Sequence, residues 1–173
     1  MRSNFNFYLS VGLILFGILL PVILDAHETD TTTLLTTDRG YCTKTLTTDN
    51  AFTIGHCLGL DGTDVPVVVP FGEHEADKAA LHICEVQPSV GDAVSVQGFP
   101  GWTGGAGIFE IEGKLEGIDT NTQEVYASAP AYQGMSGGAL IDLENNCVFA
   151  IIRAIALNTE THNILTIGVQ IWR

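Results

Sequence analysis

A serine with glycines on both sides stands at Gly134-Met135-Ser136-Gly137-Gly138, directly before the apolar run Ala139-Leu140-Ile141. Glycine flanks let the backbone turn tightly and free its N–H groups to point into a cavity, which is what an oxyanion hole requires. His56 closes the short apolar stretch Thr53-Ile54-Gly55-His56-Cys57, and Asp77 heads the stretch Ala76-Asp77-Lys78-Ala79-Ala80-Leu81. A hydroxyl, an imidazole and a carboxylate are the parts of nucleophilic acyl transfer, and the order His, Asp, Ser is one of the known triad orders on a β fold. Asp64, Glu73 and Glu75 lie near Asp77 in the chain and compete with it for the acid's place, whereas His27, His74, His82 and His162 read as surface or packing residues.

These residues must be positioned by strands. Turn signals such as Asp61-Gly62, Gly91-Asp92, Pro100-Gly101, Gly104-Gly105 and Asn145-Asn146 recur at strand-plus-turn intervals and leave no room for a helix-length amphipathic stretch. Phe109, Ile111 and Leu115 alternate with Glu110, Glu112, Lys114 and Glu116, and Val94 and Val96 alternate with Ser95 and Gln97, the period of half-buried strands. Short β-branched runs at Val67 to Val69, Leu81 to Val86, Val125 to Ala129, Val148 to Ile152 and Leu165 to Ile171 bring the expectation to roughly ten strands, with a weak division into two halves near Ile118 to Asn121. An antiparallel barrel or sandwich follows, with no internal repeat.

The chain has 173 residues, and its 7 Lys+Arg against 20 Asp+Glu make a formal charge of -13, so nucleic acid is excluded as a partner on electrostatic grounds. Hydrophobic residues at 46% and 19 glycines argue against disorder and for one turn-rich globular domain. Phe7 to Leu24 carry no charged side chain and lie between Arg2 and the acids Asp25, Glu28 and Asp30. That pattern predicts a hydrophobic helix that is either a cleaved signal peptide or an uncleaved signal anchor, with the body of the chain outside the cytoplasm. The threonine-rich stretch after it, residues 27–37, reads as a solvated tether. Four cysteines, Cys42, Cys57, Cys84 and Cys147, form an even set without CxxC spacing, which favours disulfides over a metal site.

Taken together, these stretches resemble the trypsin-like (chymotrypsin-fold) serine peptidases. Thr53 to Cys57 resembles their histidine motif, Asp77-Lys78-Ala79-Ala80-Leu81 their Asp-x-Ala-Leu strand, and Gly134 to Leu140 their nucleophile motif. Val90-Gly91-Asp92-Ala93-Val94, Gly98-Phe99-Pro100-Gly101 and the closing Leu165-Thr166-Ile167-Gly168-Val169 are similar to segments of the HtrA/Deg peptidase domain. The resemblance implies an all-β, chymotrypsin-like double antiparallel β-barrel over residues 38–173, preceded by one N-terminal hydrophobic helix within residues 1–26. It implies Ser136 as nucleophile, His56 as general base and then acid, Asp77 as the carboxylate behind the imidazole, and the N–H groups of Gly134 and Ser136 as the oxyanion hole. It further implies a Cys42–Cys57 disulfide beside the histidine, with Cys84 and Cys147 as the remaining pair or as buried thiols. The G-x-S-x-G spacing also fits the nucleophile elbow of α/β-hydrolases, but too little chain follows Ser136 to supply that fold's later acid and histidine.

The chain departs from the family in several places. Secreted trypsin relatives carry an aspartate before the serine that pairs with a new N-terminal amine; Met135 stands there, so the loop must be ordered by packing, substrate or a partner. The interval from His56 to Asp77 is short, and no PDZ domain is expected after Arg173. The resemblance places the specificity pocket at Pro130, Ala131 and Tyr132 with Arg153 on its wall. Without an acid at its floor a preference for Lys or Arg is not expected, and small or apolar residues come first, with Arg153 as a receptor for an acidic side chain second. The expected function is an extracytoplasmic serine endopeptidase acting on protein or peptide substrates through an acyl-enzyme, with no cofactor and no metal. It would be held at the membrane by residues 7–24 if they are uncleaved, and it could be a homo-oligomer, as HtrA-like relatives often are. The alternatives are a catalytically inactive member of the fold serving as a binding module at the cell surface, and an adhesion-type β-sandwich.

Overall fold

The computed structural model describes residues 31–38, 40–60, 63–75, 77–78, 81–159 and 161–171. The hydrophobic N-terminal segment lies outside them, and no helix among the described residues is long and apolar enough to cross a membrane. Ten strands follow in chain order: β1 (Thr32–Thr37), β2 (Gly40–Leu46), β3 (Ala51–Ile54), β4 (Pro66–Val69), β5 (Ala93–Gly98), β6 (Phe109–Asp119), β7 (Glu124–Ala127), β8 (Ala139–Asp142), β9 (Cys147–Leu157) and β10 (Ile164–Gln170). The first four make an antiparallel sheet in the order β1-β2-β3-β4, and the other six close into a barrel in the order β10-β7-β6-β5-β8-β9.

The expected all-β architecture is present, with three corrections. The first half is a four-stranded sheet rather than a second closed barrel. The halves part between β4 and β5, not near Ile118 to Asn121, which is instead the end of β6 and the start of its hairpin turn to β7, where Asp119 Oδ1 accepts the Asn121 N–H at 2.8 Å. Leu81 to Val86 is not a strand: Ile83 makes an isolated parallel bridge to Val148, beside the Cys84–Cys147 disulfide.

The threonine run also folds differently from a solvated tether. Thr32 to Thr37 are β1, in register with β2 from Thr32↔Thr45 to Thr37↔Gly40. Thr31 is fully buried, and its hydroxyl donates to the Leu46 carbonyl at 2.5 Å. Branching at Cβ suits the pleated backbone, and a hydroxyl can be buried where a carbonyl accepts its proton.

The barrel interior is filled by Val94, Val96, Leu115, Val125, Leu140 and Ile152. Closure with only six strands demands bending, and the ladder is interrupted between Leu115 and Gly117, between Leu140 and Ile141, and between Ile167 and Gly168. A second cluster, Phe52, Leu81, Ile83, Ala139, Ile141, Val148 and Ile151, packs β3 against the outside of β8 and β9. Burial on both faces explains why β9 begins as an unbroken apolar run instead of alternating. Both cysteine pairs are disulfides, Cys42–Cys57 and Cys84–Cys147.

Glu75 ties the segment after β4 back to the first sheet. Its carboxylate accepts hydrogen bonds from Lys44 Nζ, from the Gly72 N–H at 2.6 Å and from the Thr33 hydroxyl at 2.9 Å. Burial pushes its carboxyl up, but these donors outweigh burial and hold it below the ordinary value of 4.5. A carboxyl lowered in the folded state stabilises the fold above its unfolded pKa, and that contribution is lost as pH falls through the folded value. Glu75→Gln is therefore expected to cost about 1–3 kcal/mol in urea unfolding at pH 7, with the difference from the parent shrinking below about pH 4.

Candidate active site

Ser136 sits on the turn that leads into β8, and each peptide group of that turn has a fixed direction. The Gln133 carbonyl accepts the Gly101 N–H at 2.6 Å, the Met135 N–H donates to the Tyr132 carbonyl at 3.0 Å, and the Met135 carbonyl accepts the Gly138 N–H at 2.9 Å. The Gly137 N–H donates to the Ile152 carbonyl of β9 at 2.8 Å. The carbonyls of Gly134, Ser136 and Gly137 are taken by β2. The Thr43 hydroxyl donates to Gly134 O at 3.0 Å, the Thr43 N–H to Ser136 O at 2.8 Å, and the Thr45 hydroxyl to Gly137 O at 2.9 Å. Among the described residues, no hydrogen-bond acceptor meets the N–H of Gly134 or of Ser136.

The glycines of the motif are sterically required. Gly134 has φ +96°, and a Cβ there would lie 2.4 Å from Gly101 N. Gly137 has φ +86°, and its Cβ would lie 2.1 Å from Thr43 O. Met135, in the place of the family's aspartate, is fully buried in the barrel core. Burying a methionine is worth about 1.5–3 kcal/mol, so apolar packing helps to hold the loop.

His56 lies on a 3-10 turn, Gly55–Leu58, that follows β3. The neighbouring Cys57 is bonded to Cys42 of β2, and its sulfur lies 3.7 Å from the Ser136 carbonyl oxygen, a packing contact that brings the histidine turn against the serine turn. The imidazole is partly exposed, and its Nδ1 lies 2.9 Å from Asp64 Oδ1. A carboxylate only accepts, so Nδ1 carries a proton, and in the neutral ring the lone pair then falls on Nε2, the tautomer that a general base needs.

The acid on the imidazole is thus Asp64 and not Asp77. The reason is register: β3 pairs with β4 as far as Ile54↔Pro66, and the Gly55 N–H donates to the Val65 carbonyl at 3.0 Å, so the residue before Val65 falls beside the residue after Gly55. Asp77 is exposed in the turn that follows Glu75. The signal available in the sequence was an acid just ahead of the β-branched run Pro66 to Val69, and short sequence distance alone did not rank it above its rivals. The hydrogen bond from His56 is the largest influence on the Asp64 carboxyl, and together with lesser contributions from its neighbours, Arg153 among them, it outweighs burial and holds the carboxyl below its ordinary value.

A cavity of about 190 Å³ opens beside Ser136, walled by Ala131, Tyr132 and Gln133 on one side and by Ile152, Ala154 and Ile155 of β9 on the other. Ala131 and Tyr132, which the resemblance assigns to a specificity pocket, line this cavity. Pro130 is not on this lining, and Arg153 points away from it: its Nη1 donates to Glu124 Oε1 of β7, and its Nε stands 3.4 Å from Asp64 Oδ2. Arg153 is the residue left unpaired where the β10 register steps from Ile167↔Ala154 to Gly168↔Ile152, a break in the ladder that re-aims its side chain.

No protein-family model matches the chain, and no curated protein does. Solved structures do. A Glu endopeptidase in complex with MPD aligns with TM-score 0.61 and 18% identity over 83% of this chain and 86% of that one. The Rv3671c protease of M. tuberculosis aligns in its inactive form with TM-score 0.59 and 17% identity over 83% of this chain and 84% of that one. Its active form aligns with TM-score 0.57 and 17% identity over 82% and 77%. The fold is that of the chymotrypsin-like serine proteases.

The Thr43 hydroxyl also accepts the Phe99 N–H at 3.0 Å, so it is a donor and an acceptor at once. Thr43→Val is expected to lower unfolding free energy by about 1–3 kcal/mol, and Thr43→Ser, which keeps both bonds, by under about 1, compared by urea denaturation.

Proposed function

We propose that the protein is a serine endopeptidase working outside the cytoplasm, with Ser136 as nucleophile and His56 as general base. The observation that supports this reading most is the serine turn. Its carbonyls are bound elsewhere, and the N–H groups of Gly134 and Ser136 are left for a developing oxyanion. Ser136 Oγ attacks the scissile carbonyl while His56 Nε2 takes its proton, and the tetrahedral oxyanion is held by those two N–H groups. Collapse expels the amine, protonated by His56, and leaves an ester on Ser136. Water, deprotonated by the same imidazole, then hydrolyses the ester. The two disulfides fit an oxidising compartment. Membrane tethering through residues 7–24, self-association and the absence of a metal or cofactor requirement belong to the same proposal.

The substrate residue before the scissile bond is proposed to be small or apolar, because the cavity beside Ser136 is lined without a charged side chain and Arg153 is engaged by Glu124 and Asp64. An acidic side chain would lose its water and find no cation on that wall.

Two measurements check the reading. The purified, oxidised protein treated with a fluorophosphonate probe is expected to carry the label on Ser136, and both His56→Ala and Ser136→Ala to lose it; a folded parent without label would point to the inactive binding module. Peptide substrates with Leu, Val or Ala before the scissile bond are expected to be cleaved at least about tenfold more efficiently than those with Lys or Glu, and the reverse order would overturn the pocket assignment.

A further inference from the structure

We infer that Asp64 is the positioning carboxylate behind His56, and that Arg153 of β9, held in turn by Glu124 of β7, locks it in place from the barrel side. The inference deepens the peptidase reading and rests on it. It assigns the acid to a residue eight positions after the histidine, on the return leg of the same hairpin, in place of the Asp-x-Ala-Leu aspartate of the resemblance.

Each Asp64 oxygen faces a nitrogen of a different side chain. Oδ1 faces His56 Nδ1 at 2.9 Å and Oδ2 faces Arg153 Nε at 3.4 Å. A carboxylate held by one oxygen can swing about its own bond; one held by both has a defined plane, and so does the imidazole that donates to it. Arg153 Nε is buried and has no hydrogen bond among the described residues, so its proton has Asp64 as the charge to answer to. The guanidinium is itself fixed by Glu124, whose other oxygen accepts the Tyr126 hydroxyl at 2.9 Å. The chain Tyr126, Glu124, Arg153, Asp64, His56 therefore runs from the barrel to the loop of the first sheet. Asp64 is nearly half exposed, which by itself would make a weak pairing. The second contact supplies the order that burial supplies in deeper sites. As Ser136's proton reaches Nε2, Asp64 stays ionised and stabilises the imidazolium, with no proton passing to it.

The test compares Asp64→Asn with Asp77→Asn, with Arg153→Met and Arg153→Lys behind them. Steady-state cleavage of an apolar peptide substrate and the downfield ¹H NMR signal of the His56 Nδ1 proton are read on each. Asp64→Asn is expected to lower kcat by about 10³–10⁴-fold with KM within about threefold, and to remove the NMR signal; Asp77→Asn leaves both close to the parent. Arg153→Met is expected to lower kcat by about tenfold and broaden the signal, and Arg153→Lys to restore most of both. The inference is overturned if Asp77→Asn produces the large loss, or if Asp64→Asn leaves kcat and the signal unchanged. Failure of the peptidase reading looks different: Ser136→Ala would match the parent in every activity, while the NMR signal would still respond to Asp64 alone.

Discussion

The turn that carries Ser136 is held from outside its own barrel. Three donors of β2, the hydroxyls of Thr43 and Thr45 and the N–H of Thr43, take the carbonyls of Gly134, Gly137 and Ser136. The path of the turn depends on that seam. Release those carbonyls and the peptide planes on either side of Met135 and Ser136 lose their anchors; the N–H groups of Gly134 and Ser136 themselves lie in the Gln133 and Met135 peptide planes, which the Gly101 and Gly138 N–H groups hold. Gly137 admits no side chain because Thr43 O lies where its Cβ would be, and Met135 holds the same turn from the other side by packing into the barrel core. The first sheet is thus a small body whose strand β2 is a template for the serine turn.

The seam is polar, and this has a cost that the structure meets with hydrogen bonds. Thr31, Thr43, Thr45 and Thr53 are all fully buried, and each hydroxyl has a partner, Thr53 donating to Thr43 O at 2.9 Å. Unpaired, a buried hydroxyl or carbonyl costs about 1–3 kcal/mol. Paired, it specifies a single register between the two halves, which an apolar seam of the same area would leave freer to slide. The Cys42–Cys57 disulfide stands at the same place, joining β2 to the histidine turn across a 15-residue separation, worth about 3 kcal/mol in the loop-entropy description.

This explains which parts of the molecule were legible from the residues alone. Alternation at Val94 to Gln97 and at Phe109 to Glu116 reports strands with one wet face, and those are β5 and β6. Ser136 and its glycines were legible because backbone geometry at φ near +90° restricts residue type. The threonines were not: their excess marks a run of similar residues, but β propensity and polarity do not tell a solvated tether from a strand whose hydroxyls meet the carbonyls of another sheet. Asp64 was obscured for a related reason. Its place beside His56 is set by the Ile54↔Pro66 register, a pairing between strands, and the family's motif pointed to Asp77 instead. Leu81 to Val86 has strand composition, yet it meets β9 through the disulfide at Cys84, one bridge at Ile83 and the apolar packing of Leu81 and Ile83, not through a ladder.

The central claim is that the serine turn, in its resting state, already presents the Gly134 and Ser136 N–H groups to the reaction. The most direct measurement is a crystal structure of the protein with a peptide boronic acid bound covalently at Ser136, compared with the free protein. The account predicts one boronate oxygen within about 3 Å of both N–H groups, and a turn whose bonds to Thr43 and Thr45 are the same in both states. A boronate oxygen directed to solvent, or a Gly134 peptide that flips on binding, would contradict it.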